Sequence, residues 1–181
     1  EPIKATGIRR TYPNMMTREG ARGQEYNAWS GDGGNPPDHT TILPFTRLLG
    51  GPMDFTPGII DLTFDHANRI DNRVNTTLAK QLALYVVLYS PLQMAADLPE
   101  NYKDEPAFQF IKDVPVDWET TLVPHGEIGD YVVIVRKDRN SDDWYIADIT
   151  DENERDLTIE LFFLDKNKQY TATIYSDGED A

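Results

Sequence analysis

The hydrophobic period of this 181-residue chain changes once, near residue 114, and that change limits what it can fold into. Upstream, Asn72 to Tyr89 places Leu78, Leu82, Tyr85, Val86 and Tyr89 at the spacing of one helical face. Downstream, Tyr131 to Val135 is a continuous β-forming run. Leu157, Ile159, Leu161 and Phe163 then alternate strictly, and Tyr170, Ala172 and Ile174 alternate again. Asn140-Ser141-Asp142-Asp143 separates two of these runs as a hairpin turn would. The pattern predicts an α/β part over 1–113 and an all-β part, an antiparallel β-sandwich, over 114–181.

Charge divides at the same place. Residues 1–113 carry 14 acids and 11 bases, whereas residues 114–181 carry 17 acids and 6 bases. A net charge of −14 argues against nucleic acid or an anionic membrane as partner. The absence of cysteine removes disulfide and thiolate chemistry. Leu78 to Leu98 is apolar but broken by Lys80, Gln81, Ser90, Pro91, Gln93 and Asp97, so it predicts a buried helix followed by a turn, not a membrane span. His39 and His66 each lack a second histidine at metal spacing, which argues against zinc, and His125 lies in a turn-like PHGE. Asp151 to Asp156, DENERD, lacks the alternation and central glycine of an EF-hand loop and predicts a solvated turn. Asn75-Thr76-Thr77 fits a glycosylation sequon by chance. Trp118, Trp144 and Tyr145 fit either a sugar-stacking surface or packing, and packing is the expected role.

Glu1, Glu19 and Glu25 are the only acids in the first 25 residues of an otherwise acidic chain. Neither a flat strand nor a helix converges Glu19 and Glu25 on one small target, since six residues span roughly 20 Å along the former and reach different faces on the latter. Gly20 and Gly23 lie between them, and a glycine-bent loop could bring the two together. Converging carboxylates without matching cations suit calcium. Pairing of Glu19 with Arg18 or Arg22, with Glu25 facing water, is the competing reading. Asn14 to Thr17 and Pro52 to Phe55 predict two strands, with a glycine-rich loop at 30–37 and a helix over Thr40 to Leu49 between them. Asp38 would cap that helix and Gly50-Gly51 would stop it. Asp54 is expected to serve loop structure.

The runs TGIRRTYPNMMTREGARGQEYNAW and NPPDHTTILPFTRLLGGPMDFTPG resemble the closing part of the catalytic barrel in glycoside hydrolase family 97, the bacterial α-glucosidase and α-galactosidase family. The resemblance implies the C-terminal part of a (β/α)8 barrel over 1–113, followed by the family's β-sandwich domain over 114–181. A complete barrel usually takes about 250 residues, so the chain is expected to be a piece of a longer enzyme, inactive or nearly so by itself. The glutamate of GQE carries over as general acid, Glu25, and that of REG as a calcium ligand, Glu19. A glutamate before Pro-Ile-Lys carries over as general base and calcium ligand, Glu1, and points to inversion. Glu25 is expected to touch the metal weakly. The implied enzyme is a periplasmic, Ca2+-dependent inverting α-glucosidase acting on oligosaccharides or α-glucosides. Its alternatives are a retaining α-galactosidase of the same family or a non-catalytic carbohydrate-binding or structural β-sandwich. Unpaired strand edges in the truncated barrel further predict self-association.

Overall fold

The structure, a computed structural model, describes residues 7–67 and 69–178. The elements run α1 (Ile8–Thr11), α2 (Tyr26–Trp29), α3 (His39–Ile42), three 3-10 turns (Leu43–Phe45, Arg47–Gly50, Asp65–Ala67), α4 (Leu78–Val87), α5 (Phe108–Asp113), β1 (Trp118–Glu127), β2 (Tyr131–Asp138) and β3 (Trp144–Thr150).

The longest helix, α4, is shorter than its apolar pattern because Thr77 starts it, the Thr77 hydroxyl accepting from the Lys80 amide at 3.3 Å. Leu82, Tyr85 and Val86 are buried as the spacing requires, while Leu78 stays 37% exposed. Ten residues fall well short of the roughly 20 that span a bilayer, and no described helix is long and apolar enough to cross a membrane. The helix expected over 40–49 is split into α3 and two 3-10 turns. Pro44 has no N–H to continue the ladder and its ring crowds the preceding turn. Asp38 sits at the N-cap without a side-chain cap bond, and its backbone carbonyl accepts from Thr41 and Ile42 instead.

β1, β2 and β3 form one antiparallel sheet in that order. Central β2 reads as an unbroken apolar run because both its faces are covered: Val132, Val133, Ile134 and Val135 are each at most 4% exposed. Edge strand β1 slips register twice, and the second irregularity, between Leu122 and His125, accommodates Pro124, which has no N–H to donate. The β2–β3 turn falls at Asn140–Asp143 as its residues predict, with Ser141 Oγ accepting from the Asp143 amide at 3.1 Å.

One core joins helix and sheet. Leu84, Val86, Val87 and Leu88 pack with Val132, Ile134, Ala147 and Ile149, and with Met53, Phe55 and Leu43 from the preceding loops. Arg136, 6% exposed, pins the two together. Its Nε donates to the Val86 carbonyl at 2.6 Å near the C-terminus of α4, and its Nη1 to the Thr121 hydroxyl at 2.9 Å. Burial lowers its pKa to about 10. Trp118 is buried beside it, Tyr145 meets Trp118 edge-on at 5.4 Å, and Trp144 lies 4.9 Å from Phe163, so all three aromatics pack.

Two expectations are corrected. A sandwich needs a second sheet, but among the described residues α4 covers one face of the only ladder, and 157–178 forms no ladder, turning at 162–163 and 166–167. Its alternation holds only at 157–160, where Leu157 and Ile159 are half-buried and Thr158 and Glu160 exposed, and is lost beyond, with Leu161 and Ile174 54% and 82% exposed. The segment is tied by His125 Nε2 to the Thr158 carbonyl (3.1 Å) and by Lys168 to Asp142 (2.7 Å). The predicted strands at 14–17 and 52–55 reduce to a single parallel bridge, Arg18 to Met53. The Asp54 amide donates to the Arg18 carbonyl at 2.8 Å, and the Met53 amide to the Tyr89 carbonyl at 3.1 Å. Three short extended pieces thus lie side by side, too short for a ladder. Arg47, 7% exposed, does what ladder bonds would do, donating to the carbonyls of Glu19, Arg18, Gly51 and Pro52 at 2.6–3.4 Å.

Candidate active site

Glu19 and Glu25 line one open cleft of about 360 Å³, with Gly20, Ala21, Arg22, Gly23, Tyr26 and Trp29. The loop between them bends as its glycines permit, though each glycine acts differently. Gly20 adopts φ 91°, a left-handed turn that side chains resist. Gly23 is needed for space: a Cβ there would lie 2.1 Å from Glu25 Oε2 and 2.7 Å from Oε1, so the carboxylate rests over a bare α-carbon. Among the described residues neither glutamate is in an ion pair. The Arg22 guanidinium lies 4.6 Å over the Tyr26 ring.

Irregular backbone has no ladder to satisfy it, and here side-chain amides take over. Buried Asn27 accepts from the Asn35 amide at 2.5 Å, and Asn35 Nδ2 donates to the Gly23 carbonyl at 2.9 Å. Asn72 Nδ2 reaches the Asn27 carbonyl at 2.7 Å, and Asn75 Nδ2 reaches those of Gly33 and Asn35 at 2.9 Å each. The sequon nitrogen is therefore structural. His39 Nε2 meets the Arg22 carbonyl at 2.9 Å, and burial holds its pKa below 6.5.

Beneath the cleft, Gln24 and Gln81, 4% and 0% exposed, exchange amide bonds at 2.9 and 2.7 Å. Gln81 Oε1 also accepts from the amides of Gly58 and Ile59, at 3.0 and 3.2 Å, which fixes the orientation of both side chains. The Gln24 amide donates to Thr56 Oγ1 at 2.7 Å, its Nε2 to the Thr56 carbonyl, and the Thr56 hydroxyl donates to Glu25 Oε2 at 3.2 Å.

The structure thus brings Glu19 and Glu25 to one cleft, while Glu1, the expected base and third metal ligand, lies outside the described residues. Among the described residues no three His, Cys, Asp or Glu side chains gather as a metal site. Trp29, 57% exposed on the cleft wall, and the Gln24–Gln81–Thr56 set had no signal in spacing or periodicity. DENERD is a turn tied back to the β1–β2 connection, Arg155 bridging Asp151 and Asp130 and the Asp151 amide donating to the Asp130 carbonyl at 2.7 Å. That pairing holds the Asp151 carboxyl well below its ordinary range.

The cleft is open to solvent and walled by two carboxylates and a tryptophan. Comparison with known proteins supplies the family. Residues 117–181 match the family described as "Glycosyl-hydrolase 97 C-terminal, oligomerisation". The chain is 37% identical over 182 residues to a retaining alpha-galactosidase of Bacteroides thetaiotaomicron, covering 98% of this chain and 27% of that protein. It is 36% identical over 142 residues to a probable retaining alpha-galactosidase of Streptomyces bingchenggensis, covering 78% of this chain and 20% of that one. A glycoside hydrolase family 97 enzyme from a Pseudoalteromonas strain, solved in complex with acarbose, aligns over 92% of this chain and 26% of its own at 58% identity and a TM-score of 0.82. The chain belongs to glycoside hydrolase family 97. It spans about a quarter of the length of the curated relatives it matches.

Proposed function

We propose that these residues supply the proton-donating side of the active site of an α-glycoside hydrolase, with Glu25 as general acid. One observation carries this: Glu25 opens onto the cleft beside Glu19 and Trp29, with its carboxyl group held over Gly23 by the Thr56 hydroxyl. Glu25 gives its proton to the glycosidic oxygen as the bond from that oxygen to the anomeric carbon breaks, and the bonding electrons leave with the oxygen. The second carboxylate comes from outside the described residues.

The curated relatives, named as retaining alpha-galactosidases, support retention over the inversion suggested by Glu1. A second reading, an α-glucosidase, has its own support in the 58% identical enzyme solved with acarbose and, as a variant, with panose. The parallel contact of Arg18 with Met53, and of Met53 with Tyr89, supports reading these segments as strand ends of a barrel, where such folds build their sites. Two carboxylates on one cleft have the oxygen chemistry calcium takes but fall short of its six to eight ligands, so Glu19, with Glu25, would hold part of a shell. A bound calcium ion would offset carboxylate charge and orient sugar hydroxyls. The periplasmic placing and self-association belong to the same proposal, the latter supported by the family description "oligomerisation".

The test is sugar release from α-glucosides and α-galactosides by the enzyme carrying this chain, with the anomer of the first product followed by proton NMR. Glu25→Gln should lower kcat on unactivated substrates by about 10²–10⁴-fold. An unchanged rate would remove Glu25 from the reaction.

A further inference from the structure

We infer that Thr56 is a positioning residue for Glu25, set by the buried Gln24–Gln81 amide pair, and that its hydroxyl decides which oxygen of Glu25 faces the substrate. The inference rests on Glu25 being the proton donor. A carboxyl group over a bare α-carbon can rotate, because Gly23 offers no side chain to stop it. What stops it is Thr56 Oγ1, 3.2 Å from Oε2, so that Oε1 is the oxygen this hydroxyl does not hold. A hydroxyl has one proton and two lone pairs. Here one lone pair is taken by the Gln24 amide at 2.7 Å, so the proton is directed away from that amide, toward Glu25.

The hydroxyl is itself held from below. Gln24 grips Thr56 through both its backbone amide and its side chain, and Gln81 grips Gln24 through both atoms of its carboxamide. Gln81 also collects the amides of Gly58 and Ile59, which fixes the loop directly after Thr56. Burial of both glutamines leaves neither carboxamide free to reorient without losing bonds that water cannot replace. An arrangement needed only for stability would not have to end on a carboxylate that lines an open cleft.

The experiment compares two α-glycosides of whichever sugar the wild-type enzyme releases: a methyl glycoside, whose leaving oxygen needs a proton, and a 2,4-dinitrophenyl glycoside, whose leaving oxygen does not. Thr56→Val should lower kcat on the methyl glycoside by about tenfold with KM little changed, as expected for one lost hydrogen bond. On the dinitrophenyl glycoside kcat/KM, which reports only the step that breaks the glycosidic bond, should stay within about twofold, since the proton carries little of that barrier. Thr56→Ser should bring the ratio of the two rates back to the wild-type value. Thr56→Ala, read the same way, serves if the valine variant does not fold. Equal losses on both substrates, no loss on either, or a serine variant that behaves like valine would overturn the assignment. A wild-type enzyme that releases neither glucose nor galactose would instead remove the glycosidase reading beneath it.

Discussion

At the scale of single residues, the cleft depends on atoms that are absent as much as on those present. Gly23→Ala would put a methyl group where the Glu25 carboxylate now rests, 2.1 Å from Oε2, and the far end of that flexible side chain would give way first. The expected outcome is a fall in kcat of about tenfold or more with a melting temperature close to wild type, measured by steady-state kinetics and calorimetry. The loop itself is legible in the sequence, because Glu19 and Glu25 stand in an acid-poor stretch with Gly20 and Gly23 between them. Thr56, Gln24 and Gln81 are not. The two glutamines meet across 57 positions of chain, and a reciprocal amide pair at such separation has neither period nor motif.

At the scale of elements, the sheet and α4 are held by one buried cation, and Lys80 adds a second tie. Arg136→Met would keep the apolar stem but leave the Val86 carbonyl and the Thr121 hydroxyl without their partner, costing about 2–3 kcal/mol in denaturant unfolding. Lys80 donates from α4 to the carbonyls of Pro37 and Thr150, and burial pushes its pKa down to about 8 from an ordinary 10.5. The unfolded chain therefore keeps this proton to higher pH than the folded one. The Lys80 contribution to stability rises between about pH 8 and 10.5, and in Lys80→Met that rise should vanish from unfolding curves taken at about pH 7.5 and 10.5. Elements with a strong period were readable, α4 from its inward face and β2 from its unbroken apolar run. The predicted helix over 40–49 failed at Pro44, where backbone chemistry overrode the flanking pattern. The predicted strands at 14–17 and 52–55 failed because side-chain bonds from Arg47 replace a ladder, and a hydrophobic pattern cannot distinguish the two.

At the scale of the whole molecule, the two halves share one core, although charge and period divide them. β1 and β3 are the outer strands of the only described sheet, and open edges favour pairing with another chain. Sedimentation velocity should therefore show species heavier than the 20.6 kDa monomer, and a clean monomer at all concentrations would contradict this. Whether Glu25 delivers the proton from this cleft is read from the leaving-group dependence of kcat/KM for Glu25→Gln in the enzyme that carries the chain. A proton-donating Glu25 gives a loss of about 10²–10⁴-fold on a methyl α-glycoside and a far smaller loss on its dinitrophenyl counterpart. Equal rates for variant and wild type on the methyl glycoside would contradict it.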